Sequence, residues 1–200
     1  KNNTKPIIAV ITGGSPMNLA PVDSLADAVI LAWYPGEEGG AATADIIFGK
    51  KSPSGKLPMT FPKSLSDLPA FEDYTMEGRT YRYMKTAPLY PFGFGLSYAR
   101  FVYSDMKASS LSFAKDKSVT VTATLSNQGK YAGTEVAQLY ISDETGRKDA
   151  PIYALKGFRR IHLNPGESTR VSFTVTPQML AVVDENGNKV VDPGKHEIYI

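Results

Sequence analysis

The chain reads as mixed α/β and all-β: an α/β layer first, then an antiparallel β-sandwich. Three observations predict this. Residues 6–11 (PIIAVI) and 28–33 (AVILAW) are short apolar runs, of the kind that form strands covered on both faces. The second run leads into a glycine-rich exit and then a segment, 38–48, patterned as a helix. From residue 101 onward the texture changes to period-2 alternation punctuated by turn signals.

The α/β layer can be followed residue by residue. The first run ends at Thr12-Gly13-Gly14, and residues 22–27 read as an irregular helical turn. Pro35, Gly36, Gly39 and Gly40 mark the exit from the second run. Ala41, Ala42 and Ala44 are small enough to let the following helix lie close to a sheet, and Gly49 suits its C-terminal end. A short strand closed by Pro62 follows. Loops at the C-terminal edge of such strands are where open α/β sheets place their binding sites. Two or three strands and one helix bury too little surface to stand alone, so residues 1–61 read as the C-terminal remnant of a larger α/β sandwich domain.

Residues 62–98 are rich in Pro, Ser, Asp and Gly and read as a connecting segment. Residues 80–84 suit a short strand. The aromatic-dense stretch 90–98 (YPFGFGLSY) is expected to bury at a domain joint. In 99–200, Val119, Val121, Ala123 and Leu125 alternate with threonines. Residues 137–141, 171–175 and 196–200 alternate in the same way. Turn signals stand between them at 127–129, 164–166, 186–188 and 192–194. Roughly seven such strands fit an antiparallel sandwich of the immunoglobulin or fibronectin type III kind.

Composition narrows the function classes. The 200 residues are 42% hydrophobic and 21% charged, with a net charge of +2 and no cysteine. There is no basic run to support nucleic-acid or anionic-membrane binding, and no disulfide framework or thiolate metal site. No apolar segment is long enough to cross a bilayer. The chain opens on Lys1 without a signal-peptide pattern, so it reads as a piece of something longer.

Several residue sets invite a chemical reading. Glu37 and Glu38 are adjacent carboxylates at a helix start. A glycosidase needs two carboxyl groups facing one bond, roughly 5–9.5 Å apart. Neighbouring residues at a helix start diverge, so helix capping and compensation of the helix dipole explain the pair better. The same carboxylates would repel a phosphate from the glycine-rich turn, and no Gly-Lys-Ser/Thr follows it. Arg79, Tyr81 and Arg82 suit either a sugar site or a domain joint. His162 and His196 have no partner at metal spacing. Asp143, Glu144, Asp149, Asp184 and Glu185 are scattered turn residues with no calcium-loop spacing. No metal and no cofactor is expected.

The ordered motifs WYPGEEGG, ADIIFGKKSPSGKLPMTFP, GRTYRY, PLYPFGFGLSY, NQGKYAGTEVAQLYISD, LKGFRRIHLNPGES and DPGKHEIYI resemble the C-terminal part of glycoside hydrolase family 3, the β-glucosidase and β-xylosidase family. The resemblance implies a fibronectin type III-like domain at 99–200. It implies a parent enzyme that cleaves terminal β-linked glucose, or alternatively xylose, from an oligosaccharide substrate with retention; the rival reading is a non-enzymatic carbohydrate- or protein-binding β-sandwich module. It also implies an upstream barrel in cis carrying the nucleophile, and a periplasmic or secreted location. The family's nucleophile and acid/base motifs have no matching position here, so no catalytic residue is carried over. Glu37, Glu38, Arg79 and Tyr81 are the candidates for an active-site rim. The two apolar strands, bared of their neighbours, predict self-association of the chain.

Overall fold

The fold is described from a computed structural model, for residues 4–112, 114, 116–148 and 150–200. Asp149, one of the acidic turn residues, lies outside these. The chain divides into two compact units. One comprises the chain up to Lys51 together with Lys56–Gly95, and the other Ser52–Gly55 together with Leu96–Ile200. The stretch 62–95 thus folds as part of the first unit, and the tetrapeptide Ser52–Gly55 belongs with the second.

In the first unit, β1 (Ile8–Thr12) and β2 (Ala28–Trp33) form a two-stranded parallel sheet, with Val10 opposite Ile30. Helix α1 (Ala20–Leu25) connects them, opened by Pro21, whose missing N–H is not needed in a first turn. The strands are not buried on both faces as their composition predicts. β1 alternates between exposed and half-buried, with Ile8 and Val10 42% and 43% exposed, and no residue of β2 is fully buried. The elements of this unit are too few to cover both faces of the sheet.

Helix α2 (Gly39–Ile47) follows β2. Gly39 packs so closely on Pro35 that no side chain fits there. Gly49, at φ 73°, takes the left-handed turn that ends the helix. Glu38 occupies the N-cap, yet its side chain makes no capping hydrogen bond, so the expected capping role is not realised. Proximity of both carboxylates to the helix start remains favourable to its dipole.

Two expected strands are absent. The segment leading to Pro62 forms a single bridge, Phe61 to Tyr90, rather than a strand. Residues 80–84 form a one-turn helix instead, α3 (Thr80–Tyr83). Alternation over so few residues does not separate a strand from a helical turn, and local hydrogen bonding decided it: the N–H of Met84 reaches back to the carbonyl of Thr80 at 2.9 Å.

The second unit is an antiparallel sandwich. Its strands are β3 (Phe101–Ala108), β4 (Val119–Asn127), β5 (Gly133–Asp143), β6 (Ala154–Leu163), β7 (Ser168–Val175), β8 (Val182–Val183), β9 (Lys189–Val190) and β10 (His196–Tyr199), with a one-turn helix α4 (Pro177–Leu180) after β7. One sheet has the order β3-β4-β7, the other β10-β5-β6, and β8 and β9 form a separate hairpin. The predicted alternation is realised almost residue by residue. Every second residue of β4 is buried, and the same holds along β5 from Gly133 to Ile141. Val121, Leu125, Leu139, Val171 and Val175, all at most 1% exposed, form the centre of the core. The edge strand β3 is broken by a bulge between Ser104 and Lys107, where Asp105 adopts φ 51°. Such a bulge discourages edge-to-edge pairing.

Asn127 ends β4 and is 1% exposed. Its Nδ2 donates to the carbonyls of Tyr131 (2.8 Å) and Leu163 (3.1 Å), and its Oδ1 accepts from the N–H of Gly129 (3.0 Å). Leu163 ends β6, so one amide fastens the end of each sheet to the other. An aspartate at 127 keeps the shape but cannot donate to two carbonyls. Asn127→Asp is therefore expected to destabilise the sandwich by about 2–4 kcal/mol. Leu139→Ala, which opens a cavity in the same core, should cost a similar ~2–5 kcal/mol. Denaturant unfolding of each variant checks both values.

Candidate functional site

The first unit holds a cavity of about 460 Å³. Its walls come from Pro16–Asn18 after β1, from residues 58–68 including Met59 and Leu65, from Met76, and from α3 with Phe92. The lining is mostly apolar and contains no aspartate or glutamate among the described residues. Tyr81 and Phe92 stack in the wall, with ring centroids 4.1 Å apart and planes 12° apart. Thr80 and Met76, also in the lining, have φ of 55° and 67°, a conformation that is costly for a β-branched threonine.

The four candidate side chains are not brought together here. Tyr81 lines the cavity, while Glu37 and Glu38 stand exposed at the start of α2 and take no part in the lining. Arg79 is committed to its own loop. Its Nη2 donates to the carbonyls of Ala70 (2.7 Å) and Asp73 (3.0 Å), and its Nε to Asp73 again (3.3 Å). Asp73 in turn accepts the N–H of Thr75 at 2.9 Å, and that bond holds its carboxyl below the ordinary range. Arg79 is therefore the clamp of the 70–79 loop, and a lysine, with no forked donor set, does not replace it.

Sequence reasoning missed a chain of aromatic rings beside β2. Trp33 meets Phe61 at 6.3 Å, Phe61 meets Tyr90 at 6.4 Å, and Tyr90 stacks on Phe94 at 5.6 Å. Phe61 is fully buried. Trp33 ends its strand at φ 55°, and its carbonyl accepts the N–H of Gly13 at 3.1 Å. The hydroxyl of Tyr90 donates to Asp23 on α1. Burial, then the bond and charge of Asp23, push this hydroxyl up to about 12. The density of aromatics at 90–98 predicts burial, which holds in part: Tyr90 and Phe92 are half-buried, while Phe94 and Tyr98 stay 37% and 43% exposed, and nothing in the sequence pointed to Trp33 and Phe61 as partners.

Among the described residues no cluster of three or more His, Cys, Asp or Glu is placed to hold a metal ion, and no helix is long and apolar enough to cross a membrane.

Residues 1–98 match the glycosyl hydrolase family 3 C-terminal domain, and residues 135–200 match a fibronectin type III-like domain. A periplasmic beta-glucosidase of Salmonella typhimurium is 39% identical over 212 residues, covering 100% of this chain and 28% of that protein. A putative beta-xylosidase of Formosa agariphila is 42% identical over 200 residues, covering 98% of this chain and 26% of that protein. The chain corresponds to the C-terminal part of a glycosyl hydrolase family 3 enzyme. The solved beta-glucosidase 3B of Thermotoga neapolitana, in complex with alpha-D-glucose, superimposes with a TM-score of 0.86 at 37% identity, over 97% of this chain and 29% of that one. This family 3 chain thus spans under a third of the length of each of these relatives.

Two outcomes follow for the first unit. Arg79→Ala should speed proteolytic nicking between residues 70 and 79 by roughly tenfold, the ratio corresponding to about 1.4 kcal/mol of lost local stability; limited proteolysis with mass mapping reads it. The second concerns pH. A tyrosine whose folded value exceeds its unfolded value of about 10 stabilises the fold while protonated. Stability from Tyr90 should hold below about pH 10 and fall as pH rises toward 12. In the second unit, Tyr103 of β3, raised by burial and by Glu135, contributes in the same direction. Tyr90→Phe should make the alkaline decline shallower in urea titrations across that window.

Proposed function

We propose that this chain is the non-catalytic C-terminal part of a β-glycosidase that hydrolyses terminal, non-reducing β-linked sugars of oligosaccharides. The reaction would proceed with retention, through a glycosyl-enzyme intermediate. Glucose is the favoured sugar and xylose the alternative, and relatives named for each match the chain at similar identity, which keeps both in play. The observation that carries the non-catalytic reading is the cavity without a carboxylate. Cleaving a glycosidic bond with retention needs two carboxyl groups about 5–5.5 Å apart across it. The cavity lining offers none, and Glu37 and Glu38 are adjacent residues at one helix start.

In this reading the chain supplies scaffold and part of an active-site rim, and its partner is an upstream barrel domain of the same polypeptide. Tyr81 would contribute a ring to the rim. Arg79 would act one step back, by holding the 70–73 loop. Glu37 and Glu38 would lie at the rim without proton-transfer roles. The naming of one relative as periplasmic supports a periplasmic or secreted enzyme. The exposed apolar residues of the first unit, among them Tyr34, Phe48, Phe71 and Tyr74 at 78–84%, favour self-association of the isolated chain.

The purified 200-residue chain should turn over neither aryl β-glucoside nor aryl β-xyloside. Joined to the upstream barrel it should hydrolyse at least one of them. Turnover by the isolated chain that Glu37→Gln or Glu38→Gln abolishes would overturn the non-catalytic reading. Sedimentation over a range of concentrations, with a hydrophobic dye, checks association; a strict monomer that binds no dye counts against it.

A further inference from the structure

The outward face of the sheet β10-β5-β6 differs from an ordinary solvated sheet face. Tyr199 of β10 lies directly opposite Tyr140 of β5, and Gln138 of β5 lies directly opposite Phe158 of β6. Opposed residues share a face, and the period of two places Tyr140 and Gln138 on the same one. Tyr153 adds a fourth ring, meeting Tyr140 edge-on at 5.5 Å. Phe158 is 65% exposed and Tyr199 47%, so the two outermost rings stand in solvent although neither closes a core.

Two of the rings, Tyr140 and Tyr199, are held in place by polar neighbours. The hydroxyl of Tyr140 donates to Oε1 of Gln138 at 2.7 Å, and that of Tyr199 donates to Oε2 of Glu197 at 2.6 Å. Lys195 donates to the other oxygen of Glu197 at 2.7 Å. Aromatic faces flanked by an amide and a carboxylate match the chemistry of a pyranose, whose C–H face packs on a ring while its hydroxyls bond to planar polar groups. Phe158 and Tyr199 are two strands and about two residues apart, roughly 12 Å from strand spacings. That separation suits an extended oligosaccharide lying across the sheet rather than a single sugar.

We propose that this face is a carbohydrate-binding surface for a β-linked polysaccharide, with Phe158 and Tyr199 as its stacking platforms and Gln138 and Glu197 as its hydrogen-bonding groups. It rests on the β-glycosidase reading only for the choice of glycan. Its purpose would be to keep the polymer near the enzyme, which needs no catalytic residue on the sandwich.

Affinity electrophoresis of the full chain in gels containing soluble β-glucan, xylan or starch tests it. β-Glucan or xylan should retard the chain and starch should not. Phe158→Ala/Tyr199→Ala should weaken binding at least tenfold with an unchanged unfolding midpoint, and each single variant should fall between. No retardation, equal retardation by starch, or retardation unchanged in the double variant would overturn the proposal. So would a dimer of the native chain that the double variant dissolves, because the face would then be covered by a second copy. These outcomes concern binding alone, and the turnover assays on aryl glycosides stand or fall separately.

Discussion

One side chain, the carboxamide of Asn127, holds the sandwich in register. A sandwich has a generic driving force, burial of the inward residues of two sheets, and that force is indifferent to small slides of one sheet over the other. Directional bonds remove the freedom. The amide of Asn127 donates to the carbonyls of Tyr131, in the β4–β5 connection, and Leu163, at the end of β6, and accepts from the N–H of Gly129, while its backbone pairs with Glu167 and Gly166. Because the residue is buried, an unmade bond there has no water to replace it. The alternation of β4 and β5 is thus locked to one pairing of the sheets, and the outward face of β5 is locked with it.

The first unit solves a different problem. It has a two-stranded parallel sheet, which is marginal by itself. Aromatic rings do part of the work that further strands would do. Phe61 is buried between Trp33 and Tyr90, and Tyr90 ties the 90s stretch to α1 through Asp23. Much apolar surface still faces solvent. Tyr34, Phe71 and Tyr74 of this unit are all more than 80% exposed.

These two solutions bear on function in opposite ways. The first unit carries the cavity and the strained backbone of Trp33, Met76 and Thr80, features that gather where other groups must be positioned. The second unit is regular and well packed inside. Chemistry on such a unit is confined to its outer faces, where a side chain contributes nothing to the core and is free to serve binding. Rings left in solvent on one of those faces are the part of the sandwich that folding does not explain.

Much of this was legible in the residues, for a physical reason. Period-2 alternation reports a half-buried strand directly, and Asn-Gly, Pro-Gly and Gln-Gly pairs report turns, so the core strands around 119–125, 137–141 and 171–175 were legible in the sequence, whereas β6, with its irregular pattern, was not. The ordered motifs placed the chain in its family. The tertiary structure alone decided the rest, because it depends on contacts between residues distant in sequence. Asn127 reads locally as a turn residue, and only the approach of Leu163, 36 positions away, makes it a clasp. Arg79 and Tyr81 read as one motif, yet one is spent on loop carbonyls and the other stacks on Phe92. Residues 80–84 were too few for a pattern to choose strand over helix. Phe158 and Tyr199 came to one face only because both pair with β5, and no spacing along the chain encodes that meeting.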